Sequence, residues 1–208
     1  MGAEHPRVLV LDLGEVLATP ATLLEELGGV LGVPAAVLEG PYWAHRVAYD
    51  EGAPPEDYWA AVGRDLGLPL DEDLVRRLTA QDGALWTRLR PDAEDLLDRL
   101  ARARVRTALL SNAPASLAAV ARTQPWASAF DRLFFSGELG VAKPDPGIYA
   151  RVDEELGTAP GDVLFVDDRE VNVEAARAHG WRAHLWRDPA GVDRVLRENL
   201  FPVEGPAA

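Results

Sequence analysis

The residues best suited to chemistry are Asp12, which ends the apolar run VLVL at 8–11, and Ser111 and Asn112, which follow VRTALL. Lys143 lies in the loop GVAKPDP, and the adjacent Asp167 and Asp168 follow VLFV. Three acidic side chains converging on one crevice repel each other strongly at neutral pH unless a counter-charge intervenes. A hard divalent cation is the natural solution. Magnesium takes oxygen ligands in near-octahedral geometry, keeps several waters, and typically uses one or two carboxylates with a substrate phosphate. Asp12 and Asp168 are candidates for the carboxylates. A backbone carbonyl of the loop after Asp12 is a candidate for a further oxygen, because Gly14 lets that backbone approach closely. With one oxygen on the metal, the other oxygen of Asp12 is free to attack an electrophile, and phosphorus is the electrophile this set suits. Lys143 would offset charge on the transferring group, and the Ser111 hydroxyl with nearby backbone N–H groups would hold phosphoryl oxygens.

Such residues act together only if the chain folds them together. RVLVLD (7–12), VRTALLS (105–111), DRLFFS (131–136), DVLFVDD (162–168) and WRAHLW (181–186) read as strands. They are apolar on both faces, and all but the first are separated by helical patterns or by a helix and a loop. That pattern predicts an α/β fold, a Rossmann-like core whose mostly parallel sheet is covered on both sides. Ligands bind such sheets beyond the carboxyl ends of the strands, where the residues above fall. Between about 19 and 90 the alternation stops, and ATLLEELGGVLG and EDYWAAVGRDLG carry helical periods with no convincing strand. A helical cap over 19–90 is expected, inserted into a core made of 1–18 and 91–208. PDAEDLLDRLARAR (91–104) opens on a proline and acidic residues and closes on arginines, the dipole chemistry of a helix that returns the chain to the sheet. The tail FPVEGPAA has the composition of a loose terminus.

The chain of 208 residues is 48% hydrophobic and 26% charged, ordinary usage for one generous folded domain or a domain with a small accessory lobe. A formal net charge of -13 with no basic stripe argues against a nucleic-acid partner. A single small phosphate ester remains compatible, because a metal ion and one lysine reverse the local field. The lack of cysteine excludes a disulfide framework and thiol catalysis, with a reducing compartment as the default. The first apolar run is broken by Asp12 too soon for a signal peptide or a membrane span. A cytoplasmic protein without a membrane partner is expected, as a monomer or a homodimer.

Plainer roles exist for each residue. A strand-end aspartate often caps a turn, and the Asp167–Asp168 pair could cap the helix beginning near Val171. Lys143 could be a solvated loop residue, but it is the lone lysine of a chain whose other basic residues are arginine, so surface drift does not explain it. Arginine would not replace it neutrally at a compact phosphate site. His5, His45, His179 and His184 show no metal-ligand spacing and no obvious acidic partner. The aromatic stretch PYWAHRVAYDEG (41–52) reads as cap packing. Some of Trp43, His45, Arg46 and Tyr49 could instead face the crevice and select the substrate.

In order along the chain, VLVLDLGEVL, TALLSN, GVAKPDPGIY and VLFVDDREVNVEAARAHG resemble the four motifs of the haloacid dehalogenase superfamily, subfamily I, whose helical cap lies between the first and second motifs. The resemblance spans nearly the whole chain and is closest to the phosphatase domain of soluble epoxide hydrolases and to bacterial glucose-1-phosphate phosphatases. It implies a magnesium-dependent phosphatase acting on a small phosphorylated metabolite through an aspartyl-phosphate. It implies Asp12 as nucleophile, Ser111 as phosphate binder, Lys143 as charge stabiliser and Asp168 as magnesium ligand. Asp167 would orient Asp168 or share the metal, and Asn112 would be a further contact near the phosphate. The departure is Gly14, where most such phosphatases carry a second aspartate that protonates the leaving alcohol, a role worth about 100- to 10,000-fold in rate. Members with a DLG first motif that are phosphatases exist, and Glu15 is the nearest substitute. The alternatives are a catalytically silent member that binds a metabolite or protein, and a 2-haloacid dehalogenase, whose relatives carry an aromatic residue in place of Gly14 and lack the paired aspartates.

Overall fold

The computed structural model describes residues 7–199 and 201; His5 and the tail from 202 onward lie outside the described residues. The chain enters on β1 (Val8–Leu11), whose four side chains are all buried. Leu9 and Leu11 pack into one apolar layer and Val8 and Val10 into another. That alternation is why the run reads as apolar on both faces.

Five of the six helices before the next strand come first: α1 (Leu23–Leu31), α2 (Ala35–Ala44), α3 (Arg46–Asp50), α4 (Pro55–Leu66) and α5 (Glu72–Trp86). They form the inserted helical cap. Their apolar faces meet in a core of their own, built from Leu27, Leu38, Tyr42, Tyr58, Trp59, Val62 and Leu78 among others. Tyr49 and Tyr58 stack with ring centroids 4.3 Å apart and planes 9° from parallel.

The chain returns through α6 (Pro91–Arg102), with Pro91 in its first turn, Asp92 and Glu94 beside it, and Arg99 and Arg102 in its last turn. Its buried Ala93, Leu96, Leu97 and Leu100 recur at helical spacing on one face. Then come β2 (Arg106–Ser111), α7 (Ala115–Ala121), β3 (Arg132–Phe135), α8 (Ser136–Leu139), α9 (Pro146–Leu156), β4 (Val163–Asp167), α10 (Glu170–His179), β5 (Arg182–Leu185) and α11 (Pro189–Glu198).

Among the described residues the strands form one parallel sheet in the order β3-β2-β1-β4-β5. α6, α7 and α11 cover one face through Leu96, Leu97, Leu117, Val192 and Leu196, and α9 and α10 cover the other through Ile148, Tyr149, Val152 and Ala176. The order reverses direction about β1, so the ends of β2, β1 and β4 diverge into a crevice, the place where such sheets bind ligands. No helix is long and apolar enough to cross a membrane among the described residues.

Candidate active site

Register brings the strand-end polar residues together. Leu11 pairs with Leu109 on one side and Val166 on the other. Asp12 therefore emerges between Ser111, the last residue of β2, and Asp167, the last residue of β4. The Asp12 amide donates to the Val166 carbonyl at 3.0 Å, which keeps it in line with the sheet. Together with the loop bearing Lys143 and the cap, Asp12 and Ser111 border a crevice of about 460 Å³, with Asp167 buried behind it.

Lys143 is 3% exposed and sits in the floor. Its Nζ reaches Asp12 Oδ1 at 2.9 Å and donates to Asp167 Oδ2 at 2.6 Å and the Leu110 carbonyl at 2.8 Å. Those acceptors fill the three donors of an ammonium group. Burial depresses the Lys143 pKa, but the Asp12 and Asp167 carboxylates overcome it and hold the lysine well above its ordinary value. Asn112 fixes the lysine's backbone: its Nδ2 donates to the Lys143 carbonyl and its Oδ1 accepts from the Lys143 amide, each at 2.8 Å. The Asn112 amide that sequence reading placed at the phosphate is thus engaged on the loop.

Asp167 is fully buried. Besides Lys143 it accepts from the Arg169 amide at 2.8 Å and from Asn172 Nδ2 at 2.9 and 3.1 Å. Asp168 is half-buried and borders the crevice. Asp12, Asp167 and Asp168 each present a carboxylate oxygen, all within 4.8 Å of one another. Burial is the strongest influence on Asp12 and pushes its pKa up to about 7; Lys143 pulls it down, while Asp167 and Asp168 push it further up. Asp168 is raised as well, first by burial and then by Asp167.

Two observations fit a dication here. Three carboxylates against one ammonium leave two negative charges uncompensated in a buried place. Asn172, 1% exposed, also borders the crevice, and its amide oxygen has no hydrogen-bond partner. A buried acceptor without a partner asks for a donor or a cation. Sequence reading missed Asn172, although it stands inside the quoted fourth motif; only the helical course of α10 folds it back over Asp167.

The cap supplies the opposite wall with Trp43, Arg46, Val47, Asp50, Glu51 and Trp86. Arg46 is 7% exposed and bonds Asp50 through Nε at 2.8 Å, and Asp82 Oδ2 and the Tyr42 hydroxyl through Nη1 at 3.2 and 2.5 Å. Tyr42 donates to Asp82 Oδ1 at 2.6 Å and accepts from Trp86 Nε1 at 2.9 Å. The cap is joined to the core by Tyr49, whose hydroxyl meets Ser116 Oγ at 2.7 Å, and by Ser136, which donates to the Asp50 carbonyl and accepts from the Ala113 amide at 2.9 Å.

Some expectations are corrected. His45 does not border the crevice; its Nε2 lies 2.7 Å from Asp65 Oδ2 on the outside of the cap. His179 likewise meets Asp153 at 2.7 Å, so two of the histidines have the acidic partners that local spacing hid. Tyr49 is buried in the cap core and not in the wall. Glu15 borders the crevice, but it is exposed and its carboxylate accepts from Thr19 Oγ1 at 3.3 Å.

A model of the haloacid dehalogenase-like hydrolase family matches residues 7–180. The chain is 32% identical over 158 residues to a phosphatase of Mycobacterium tuberculosis, a match covering 73% of this chain and 70% of that one. It is 35% identical over 138 residues to the (S)-2-haloacid dehalogenase of Xanthobacter autotrophicus, covering 65% of this chain and half of that one. A haloacid dehalogenase family enzyme of Bacteroides thetaiotaomicron, solved with magnesium and inorganic phosphate, superposes with a TM-score of 0.66 at 21% identity, over 88% of this chain and 94% of that one.

Proposed function

Because the chain belongs to the haloacid dehalogenase-like hydrolase family, we propose that it is a magnesium-dependent phosphatase that hydrolyses a small phosphorylated metabolite through an aspartyl-phosphate on Asp12. The observation that carries this reading is the set of buried Asp12, Lys143 and Asp167 with half-buried Asp168 at the divergence of β1, β2 and β4. We assign 1–18 and 91–208 to the catalytic core and 19–90 to the cap. The phosphatase of Mycobacterium tuberculosis among the relatives is consistent with this reading, and a cytoplasmic location is part of it.

Asp12, Asp168 and the Gly14 carbonyl are the residues that would hold magnesium, with Asp167 behind them. When bound, the ion supplies positive charge that offsets the carboxylates and the phosphoryl oxygens. Asp12 attacks phosphorus with one carboxylate oxygen. Lys143, locked on Asp12 and Asp167, stands against the charge that gathers on the transferring group. The Ser111 hydroxyl and the backbone beside Asn112 hold phosphoryl oxygens. Asp167 acts through Lys143, by holding its ammonium in place and keeping it charged.

A 2-haloacid dehalogenase is the second reading, favoured by the 35% identity to such an enzyme. There Asp12 would attack carbon. Against it stands the uncompensated negative charge of the floor, which would repel a substrate bearing its own carboxylate.

The deciding experiment measures phosphate release from phosphorylated sugars, nucleotides and small acids, with magnesium or chelator, for the wild type and Asp12→Asn. Metal-dependent release that the variant loses is the expected result. Halide release from a 2-haloacid without metal would establish the dehalogenase. Silence toward every compound, in a folded protein, would leave a binding protein.

A further inference from the structure

The crevice wall and the residue beside the nucleophile both constrain the part of the substrate that departs. Among the described residues the large apolar side chains left exposed are Val37, Trp43, Val47 and Val171. Two of these, Trp43 at 46% and Val47 at 69% exposure, border the crevice. Trp86 joins them, its ring centroid 6.3 Å from that of Trp43 and its plane 78° away, and Leu13 and Leu117 complete the apolar lining from the core. The two rings meet edge to face and present a single aromatic surface to the crevice, against which a further ring can pack.

The charged groups on this wall do not invite a second anion. Arg46 is held by Asp50 and Asp82, and Glu51 stands exposed at the mouth. A bisphosphate or a phosphorylated acid would meet carboxylates there without a free cation from the cap.

Among the described residues, position 14 beside the nucleophile offers no proton donor. Position 14 has no side chain, and a Cβ built there would stand 3.5 Å from Cζ3 of Trp86, so the flank of Asp12 is bordered by an indole ring. The nearby carboxylates are engaged, Glu15 by Thr19 and Asp50 by Arg46. A leaving oxygen that receives no proton in the transition state must carry its charge away, which an aryl oxygen does far better than an alkyl one.

On the premise of the phosphatase reading above, we propose that the substrate is an aryl phosphate, a monoester of a phenol whose uncharged ring seats against Trp43, Val47 and Trp86. An oxygen of Asp12 bonds to phosphorus as the bond from phosphorus to the aryl oxygen breaks. The electron pair leaves with the phenoxide, which takes its proton from water. Water then opens the aspartyl-phosphate, returning the Asp12 carboxylate and inorganic phosphate.

The test compares kcat/KM, with magnesium at fixed pH, for substituted phenyl phosphates against alkyl and hexose monophosphates, in the wild type, Gly14→Asp and Trp43→Ala. The wild type should prefer phenyl over alkyl esters by about 100-fold or more, with rates rising steeply as the phenol becomes more acidic. Gly14→Asp, whose Cβ has ordinary contact distance to Trp86, should bring in a donor and shrink that preference about tenfold or more. Trp43→Ala should raise KM for phenyl phosphate more than it lowers kcat. Phenol should also perturb indole fluorescence in the wild type and less in Trp43→Ala, a readout independent of turnover. Equal or faster release from alkyl or hexose esters, or a flat dependence on phenol acidity, would overturn the aryl assignment alone. Release from none of these esters would overturn the phosphatase reading with it.

Discussion

Asn112 grips Lys143 by both polar groups of its backbone, donating to the carbonyl and accepting from the amide at 2.8 Å each. The lysine reaches the site from a loop, and a loop alone would not hold an ammonium within 3 Å of two carboxylates. The asparagine at the end of β2 therefore ties two motifs that lie 31 residues apart.

Asn112→Ala should leave both backbone groups without these partners. The loss is about 1–3 kcal/mol for each group left buried and unsatisfied, less where water reaches it. Thermal unfolding should show a lower midpoint, and phosphate release should fall in kcat more than it rises in KM. Full activity in Asn112→Ala would show that the loop holds Lys143 unaided.

The sheet and the floor of the site are legible in the sequence because their signals are local. Val8–Leu11 is apolar at every position since both faces are covered, and Asp12 marks where the strand leaves the core. The wall is not legible in the same way. Arg46 finds Asp82 at a separation of 36 residues, and His45 finds Asp65 at 20. Those pairings depend on how the cap helices cross, which no local pattern encodes. Asn172 shows the intermediate case, with a helix start visible but the turn that aims its amide at Asp167 not visible.

Asp167 and Asp168 are neighbours with different surroundings, and their variants should differ. Asp167→Asn removes the buried carboxylate that pairs with Lys143 and accepts from Asn172 and Arg169. Breaking such a pair typically costs about 3–5 kcal/mol. Asp168→Asn should cost little stability without metal, yet abolish the rise in Tm expected of the wild type on adding magnesium. That rise corresponds to about 2.7 kcal/mol at 100 times the dissociation constant. Equal loss of stability in the two variants would contradict this division of roles.

Asp12 makes the metal-free protein sensitive to pH. Its carboxyl, ordinarily at 3.8, is pushed up to about 7, chiefly by burial. The folded chain thus keeps a proton that the unfolded chain releases. The stability from this group is fully present below about pH 4 and is lost as pH rises through 7. Asp50, raised to about 6 by burial despite Arg46, acts in the same direction. In chelator, Tm should fall from pH 5 to pH 8, and Asp12→Asn should flatten that fall and be the more stable protein at pH 8. Each kcal/mol regained should appear as roughly 2–4 °C. A parallel decline in both proteins would place the pH sensitivity elsewhere.

Ser136 is the residue through which the cap meets the phosphate side of the floor. Its hydroxyl donates to the Asp50 carbonyl at the end of α3 and accepts from the Ala113 amide, two residues beyond Ser111. Next to it, α8 approaches the loop after β2 closely enough to need glycine, since a Cβ on Gly137 would stand 2.7 Å from the Ala115 amide nitrogen. Ser136→Ala keeps the volume nearly constant and removes only the bridge, leaving a buried carbonyl and amide without it. The expected loss is about 1–3 kcal/mol of docking, small beside the apolar core that holds the cap helices to each other. Hydrogen exchange should therefore quicken in residues 46–53 while the strands remain protected. KM should rise more than kcat falls, because the wall bearing Trp43 and Val47 would spend less time over Asp12. Unchanged exchange in 46–53 would mean that the cap's other contacts with the core, Tyr49 on Ser116 and Gly83 on Val120 among them, hold it without this bridge.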